Sequence, residues 1–132
     1  LPWLHIAEEL ARLARERGFK KVGVLGTQLL MEGPVYAGPF AASGIEKVIP
    51  NDEDRAKIDE IIFGELVYGR FESLSRRFFQ RVIRRLQKNG CDAVALSCTE
   101  IPLLISEADS PLPVLDSTRT LARAALREAM GA

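Results

Sequence analysis

Ser97-Cys98-Thr99-Glu100 closes the apolar run AVAL and opens directly onto the proline-containing run IPLL. A cysteine at such a junction supports two readings. It can be a small buried hydrophobe, inert and structural. It can also be a reactive thiol, because the positive end of a helix dipole favours the thiolate, and the unpaired N–H groups of a first helical turn can receive a carboxylate. In the second reading Thr99 is the N-cap and Glu100 lies in the first turn. Pro102 is tolerated there because early helical N–H groups lack intrahelical partners. Glu100 can orient a neighbour or simply compensate the dipole. Two further junctions, Gly26-Thr27 after VGVL and Asp116-Ser117-Thr118 after LPVL, share the same small, hydroxylated character. Thr27 can bind an oxyanion or cap the following helix, and the residues leave both open.

Other chemistries have less to work with. Cys91 follows Gly90, ahead of the strand proper, and reads as structural. At ~3.3 Å per residue the seven-residue separation of Cys91 and Cys98 in one extended segment is ~23 Å, far beyond disulfide reach. Two cysteines and the single His5 lack the spacing of a metal site, so no metal is expected. The segment GTQ (26–28) has neither a GxGxxG nor a GK[ST] pattern, and no G-x-S-x-G elbow is present. Free thiols suit a reducing cytosol.

The elements that must position these residues alternate. Ile6, Leu10, Leu13 and Ala14 have helical spacing within residues 4–17, with Gly18 as C-cap. VGVLG (22–26) reads as a buried parallel strand. Residues 27–40 read as a loop and short helix broken at Gly33-Pro34, and IEKVI (45–49) as a second strand ended by Pro50. Asn51 caps a helix striped by Ile58, Ile61, Ile62 and Leu66. A long helix over 71–88 is expected to bury Phe71, Leu74, Phe78, Val82 and Leu86. Its Arg76, Arg77, Arg81, Arg84, Arg85 and Lys88 read as a solvated face, since no aromatic platform is interleaved with them. DAVALS (92–97) and LPVLD (112–116) are the third and fourth strands, with a helix over 99–106 between them and a final helix after Ser117-Thr118.

This order predicts an α/β domain over residues 1–132, an open parallel four-stranded sheet flanked by helices. In such sheets ligands sit beyond the carboxyl ends of the strands, which is where the three junctions fall. A net charge of +0 and no apolar run near ~20 residues give no pointer to nucleic acid or membrane. The chain begins inside a helix opening without Met, and reads as part of a longer protein.

Several blocks together resemble the aspartate/glutamate racemase family. They are GVLGT (23–27), Met31-Glu32, Tyr36, GIEKVIPNDEDRAKIDEIIFGELVYG (44–69), GCDAVALSCTEIPLL (90–104) and LPVLDSTRTLARAA (112–125). The resemblance implies the second half of a pseudo-symmetric two-domain fold with the site between the halves. It also implies a racemase of amino acids or dicarboxylates that needs neither pyridoxal phosphate nor metal. Two cysteines, one per half, face opposite sides of the substrate α-carbon. Cys98 then corresponds to the second-half thiol, with Thr99 and Glu100 beside it and Gly26-Thr27 at the neighbouring strand end as substrate contacts. The chain departs from the family in lacking a first half with its own cysteine, which Cys91 cannot replace. Leu30 stands where the family often has threonine, and Leu121 where it commonly has histidine. Two other readings stay open. One is a single-cysteine decarboxylase or isomerase of the same superfamily. The other is an inactive truncated domain that binds small carboxylates at most and pairs as a homodimer through the surface a first half would cover.

Overall fold

Four short runs rich in valine, alanine and leucine form one parallel sheet in a computed structural model that describes residues 6–116, 126, 127 and 129. The strands are β1 (Lys21–Leu25), β2 (Glu46–Val48), β3 (Ala93–Leu96) and β4 (Val114–Asp116), in spatial order β2-β1-β3-β4. Val22 pairs with Ala93 and Leu25 with Leu96, so β1 and β3 end level with one another. Leu96 pairs with Asp116, which brings the end of β4 into line. The predicted open parallel α/β sheet is the observed one.

Helices cover both faces, as parallel strands require. The helices are α1 (Ile6–Glu16), α2 (Gln28–Glu32), α3 (Ala37–Ala42), α4 (Asp52–Gly64), α5 (Ser73–Lys88) and α6 (Ile101–Leu104). Alternate strand residues point to opposite faces. Val22, Val24, Ala93, Ala95 and Leu115 therefore meet α1 and α3 through Leu10, Ala14 and Phe40. Leu25, Val94, Leu96 and Val114 meet α4, α5 and α6 through Ile58, Ile62, Phe79, Ile83 and Ile101. Asn51 caps α4 as expected, its side chain accepting from the Asp54 amide at 2.8 Å. Buried Asp54 pairs with Arg85, which ties α4 to α5.

Two local expectations fail. The buried stripe of α5 is Ser75, Phe79, Val82, Ile83 and Leu86. Phe71 lies ahead of the helix and is 39% exposed, and Leu74 is 75% exposed. The helix starts two residues later than the apolar spacing suggests, and Leu74 in its first turn faces solvent while Ser75 faces inward. The helix predicted over 99–106 is the single turn α6, followed by a separate 3-10 turn over Glu107–Asp109. Among the described residues no helix is long and apolar enough to cross a membrane. The final helix predicted after Ser117-Thr118 falls largely outside the described residues, as do His5 and Leu121.

Candidate active site

The carboxyl ends of β1 and β3 meet at Gly26 and Ser97. The Ser97 hydroxyl donates to the Leu25 carbonyl at 2.8 Å, and the Ser97 amide reaches the same oxygen at 2.8 Å. A Cβ on Gly26 would lie 2.1 Å from Ser97 Oγ, so a side chain at residue 26 would drive that hydroxyl off its acceptor. Near this junction Tyr36 is 1% exposed and packs edge-on against Phe40. Burial pushes its phenol up to about 12, against the opposing effect of the nearby Ser97 hydroxyl. Tyr36 was legible only as part of a resembling block. Its own neighbours, Val35 and Ala37, carry no pattern that would pair it with a strand end 61 residues later.

Cys98 follows β3 by two residues and is 9% exposed. Its Sγ donates to Glu100 Oε1 at 3.3 Å, while Thr99 Oγ1 donates to Glu100 Oε2 at 2.6 Å. The three side chains of the Cys-Thr-Glu segment thus form one hydrogen-bonded group. Thr99 is not the N-cap of the following turn. That position is taken by Glu100, with no side-chain cap, and Thr99 donates its hydroxyl to the Glu100 carboxylate. Arg76 Nε holds the Leu104 carbonyl at 2.9 Å, and Gln80 Nε2 holds the Asp109 carbonyl at 3.0 Å. Through these two bonds α5 braces the segment that follows Cys98.

The electrostatics of Cys98 differ from the dipole expectation. Burial pushes the thiol up, and the Glu100 carboxylate adds to the rise. The backbone N–H groups of Glu100 and Ile101 pull in the other direction but do not prevail. A helix of one turn has little dipole to offer, whereas the strand end is dry and carries a neighbouring negative charge. Glu100 itself is held below the usual carboxylate range, first by the Thr99 hydroxyl and then by the Cys98 thiol.

The other sequence candidates divide. Thr27 caps α2, its hydroxyl accepting from the Leu30 amide at 3.3 Å, and the Gln28 amide is taken by Asp59 Oδ1 at 2.8 Å. Gly26 stands against Ser97, one residue before Cys98, and Leu30 Cβ is 3.7 Å from where a Gly26 Cβ would be. Gly26, Thr27, Ser97 and Cys98 therefore share one end of the sheet. Asp116 ends β4 in register with Leu96, while Ser117 and Thr118 lie outside the described residues. Cys91 is 5% exposed in the core on the α5 side, at the amino end of β3, opposite Cys98. A cleft of about 400 Å³ opens between Leu13 of α1, Arg17 just past the end of that helix, and Leu96, Pro102 and Asp116, and neither Cys98 nor Thr27 lines it. Among the described residues no three His, Cys, Asp or Glu side chains gather as a metal-holding group.

The family model for Asp/Glu/hydantoin racemases matches residues 1–125. The fold matches the crystal structure of a Yersinia pestis protein assigned to the Asp/Glu racemases with a TM-score of 0.91 and 38% identity, covering 96% of this chain and 56% of that one. It matches an aspartate racemase homologue from Pyrococcus horikoshii OT3 with a TM-score of 0.87 and 32% identity, covering 95% of this chain and 55% of the other. The broad specificity amino-acid racemase RacX of Bacillus subtilis (strain 168) is 23% identical over 123 residues, covering 93% of this chain and 52% of RacX. The chain thus spans about half the length of these three relatives. On the strength of the family match and of the fold, this chain belongs to the Asp/Glu/hydantoin racemase family.

Proposed function

We propose that the chain supplies one catalytic half of a cofactor-independent amino-acid racemase, with Cys98 as one of two thiols that face opposite sides of the substrate α-carbon. The observation that carries this reading is the placement of Cys98: a poorly exposed thiol beyond the carboxyl end of a central parallel strand, beside the Gly26-Thr27 strand end. Ligands of open α/β sheets bind at such ends. The second thiol belongs to the portion of the relatives' length that this chain does not match.

The chemistry demands such a site. An α-proton beside a carboxylate is barely acidic, so its removal needs a dry pocket and donors aimed at the developing enediolate. A thiolate on one face takes the proton and becomes a thiol. A thiol on the other face gives its proton to the α-carbon and becomes a thiolate. Thr99, through its backbone N–H, and the Gly26-Thr27 turn are the contacts for the substrate carboxylate in this reading, the Thr99 hydroxyl being donated to Glu100. RacX, named for broad specificity, supports an amino-acid substrate class wider than aspartate, and apolar Leu30 beside Gly26 points the same way.

The test is α-hydrogen exchange. The 132-residue chain incubated with L- or D-aspartate in deuterium oxide is expected to incorporate α-deuterium without inverting configuration, and Cys98→Ala is expected to abolish it. Exchange that survives Cys98→Ala overturns the thiol assignment. Full racemisation by this chain alone overturns the claim that a second thiol must come from elsewhere. Absence of exchange in the unaltered chain, with a carboxylate complex detectable by titration, favours the carboxylate-binding domain over the enzyme.

A further inference from the structure

We propose that Glu100 is the positioning residue of Cys98. Its Oε1, 3.3 Å from Sγ, receives the thiol hydrogen bond, keeps the resting side chain protonated and makes Cys98 the proton donor of the first half-reaction. The inference rests on the reading of Cys98 as a reacting thiol, and it gives Glu100 a role other than the substrate contact expected from the sequence.

Three features of the group support it. First, both oxygens of Glu100 are engaged inside the segment, Oε2 by Thr99 Oγ1 at 2.6 Å and Oε1 by the thiol. The carboxylate is fixed in direction rather than free to swing toward a ligand. Second, no basic side chain among the described residues acts on Glu100, so its charge is not cancelled by an ion pair. Third, an ionised carboxylate only accepts hydrogen bonds. Its partner must therefore bring a hydrogen, and a thiolate in that position would set two negative charges against each other. Burial of the thiol acts in the same sense.

The consequence for proton transfer follows in two steps. When the thiolate of the opposite face has removed the α-proton, the S–H bond of Cys98 breaks. Its proton bonds to the α-carbon, and the electron pair stays on Sγ. The new thiolate then faces the Glu100 carboxylate, and the repulsion makes it a stronger base for the return direction. Glu100 thereby sets which face is loaded with a proton in the resting protein.

The test reads the thiol directly. Alkylation of Cys98 by iodoacetamide is followed against pH on the 132-residue chain, with its label separated from that of Cys91 by peptide mass spectrometry. Glu100→Gln and Glu100→Ala are each expected to lower the midpoint of the alkylation profile. Below the midpoint the reaction should quicken about tenfold for each unit of that fall. Circular dichroism should not change, because Glu100 is a surface-reaching side chain at a one-turn helix. A midpoint that stays in place or rises in both variants overturns the proposal. The outcome is distinct from failure of the thiol assignment. A chain that exchanges α-deuterium through Cys98 but shows no midpoint shift keeps the thiol and overturns the role of Glu100. A chain with the shift but with exchange independent of Cys98 overturns its part in proton transfer.

Discussion

Gly26 and Ser97 share a space that admits one atom: a Cβ on Gly26 would stand 2.1 Å from Ser97 Oγ, which itself donates to the Leu25 carbonyl at 2.8 Å. Gly26→Ala must therefore push the serine hydroxyl off its acceptor. The expected cost is about 1–3 kcal/mol by urea unfolding, the range for overpacking a tight site. Ser97→Ala removes the clashing oxygen and leaves Ser97 Cβ, 3.5 Å away, in ordinary contact. The double variant Gly26→Ala/Ser97→Ala is therefore expected to be more stable than the sum of the single effects predicts. Strict additivity would show that the two positions do not collide.

Alkaline pH is expected to weaken the fold, with Tyr36 as the largest contributor. Its phenol is pushed up to about 12 by burial, against ~10 for an exposed tyrosine. Between those values the unfolded chain releases a proton that the native chain keeps. The native state binds more protons, so stability is full below ~10 and falls as pH rises through the folded value. Cys91 and Cys98, both raised by burial, add an earlier decline. Tyr36→Phe removes the buried phenol that titrates. It should flatten the alkaline slope in denaturant titrations. An unchanged slope would remove Tyr36 as the cause.

Arg76 braces the turn after Cys98 without touching the thiol, its Nε donating to the Leu104 carbonyl at 2.9 Å. Arg76→Met is expected to cost about 1 kcal/mol for the lost bond. It should loosen α6 and speed alkylation of Cys98 at every pH, while leaving the pH midpoint in place. That pattern separates a bracing residue from the charge effect ascribed to Glu100. A shifted midpoint in Arg76→Met would mean that its charge, not its bond to Leu104, acts on the thiol.

Leu30 projects toward the Gly26 strand end, its Cβ 3.7 Å from where a Gly26 side chain would begin. Threonine there adds a hydroxyl where the chain now offers only methyl groups. Leu30→Thr is expected to raise α-deuterium exchange of aspartate relative to that of alanine, by about tenfold if one added hydrogen bond contributes about 1.4 kcal/mol. Equal ratios in the two proteins would show that residue 30 does not contact the substrate side chain.

Periodicity made most of the scaffold legible. β-branched and apolar runs of four or five residues, separated by amphipathic spacings, specify parallel strands with helical crossovers. Glycine at 18 and asparagine at 51 marked two helix boundaries through local chemistry alone. The reading failed where tertiary packing overrides local pattern. Phe71 and Leu74 have the spacing of a buried stripe, yet the helix begins after Phe71 and turns Leu74 to solvent. Thr99 has the chemistry of an N-cap, yet the following turn starts one residue later, at Glu100, and the Thr99 hydroxyl donates to the Glu100 carboxylate.

The sequence by itself determined the sheet, its parallel order of elements and the presence of a thiol at the end of β3. Each depends on residues near in the chain, or on a motif contained in one segment. Only the tertiary structure decided what surrounds that thiol. The meeting of Gly26 with Ser97, the Tyr36 phenol near Ser97 and the brace from Arg76 to Leu104 join positions 28 to 71 residues apart. The state of Cys98 follows the same rule. A helix terminus, read locally, favours a thiolate, but burial at the strand end and the Glu100 carboxylate together hold the proton on sulfur. Desolvation is a property of everything packed around a group, and no single segment of the chain carries it.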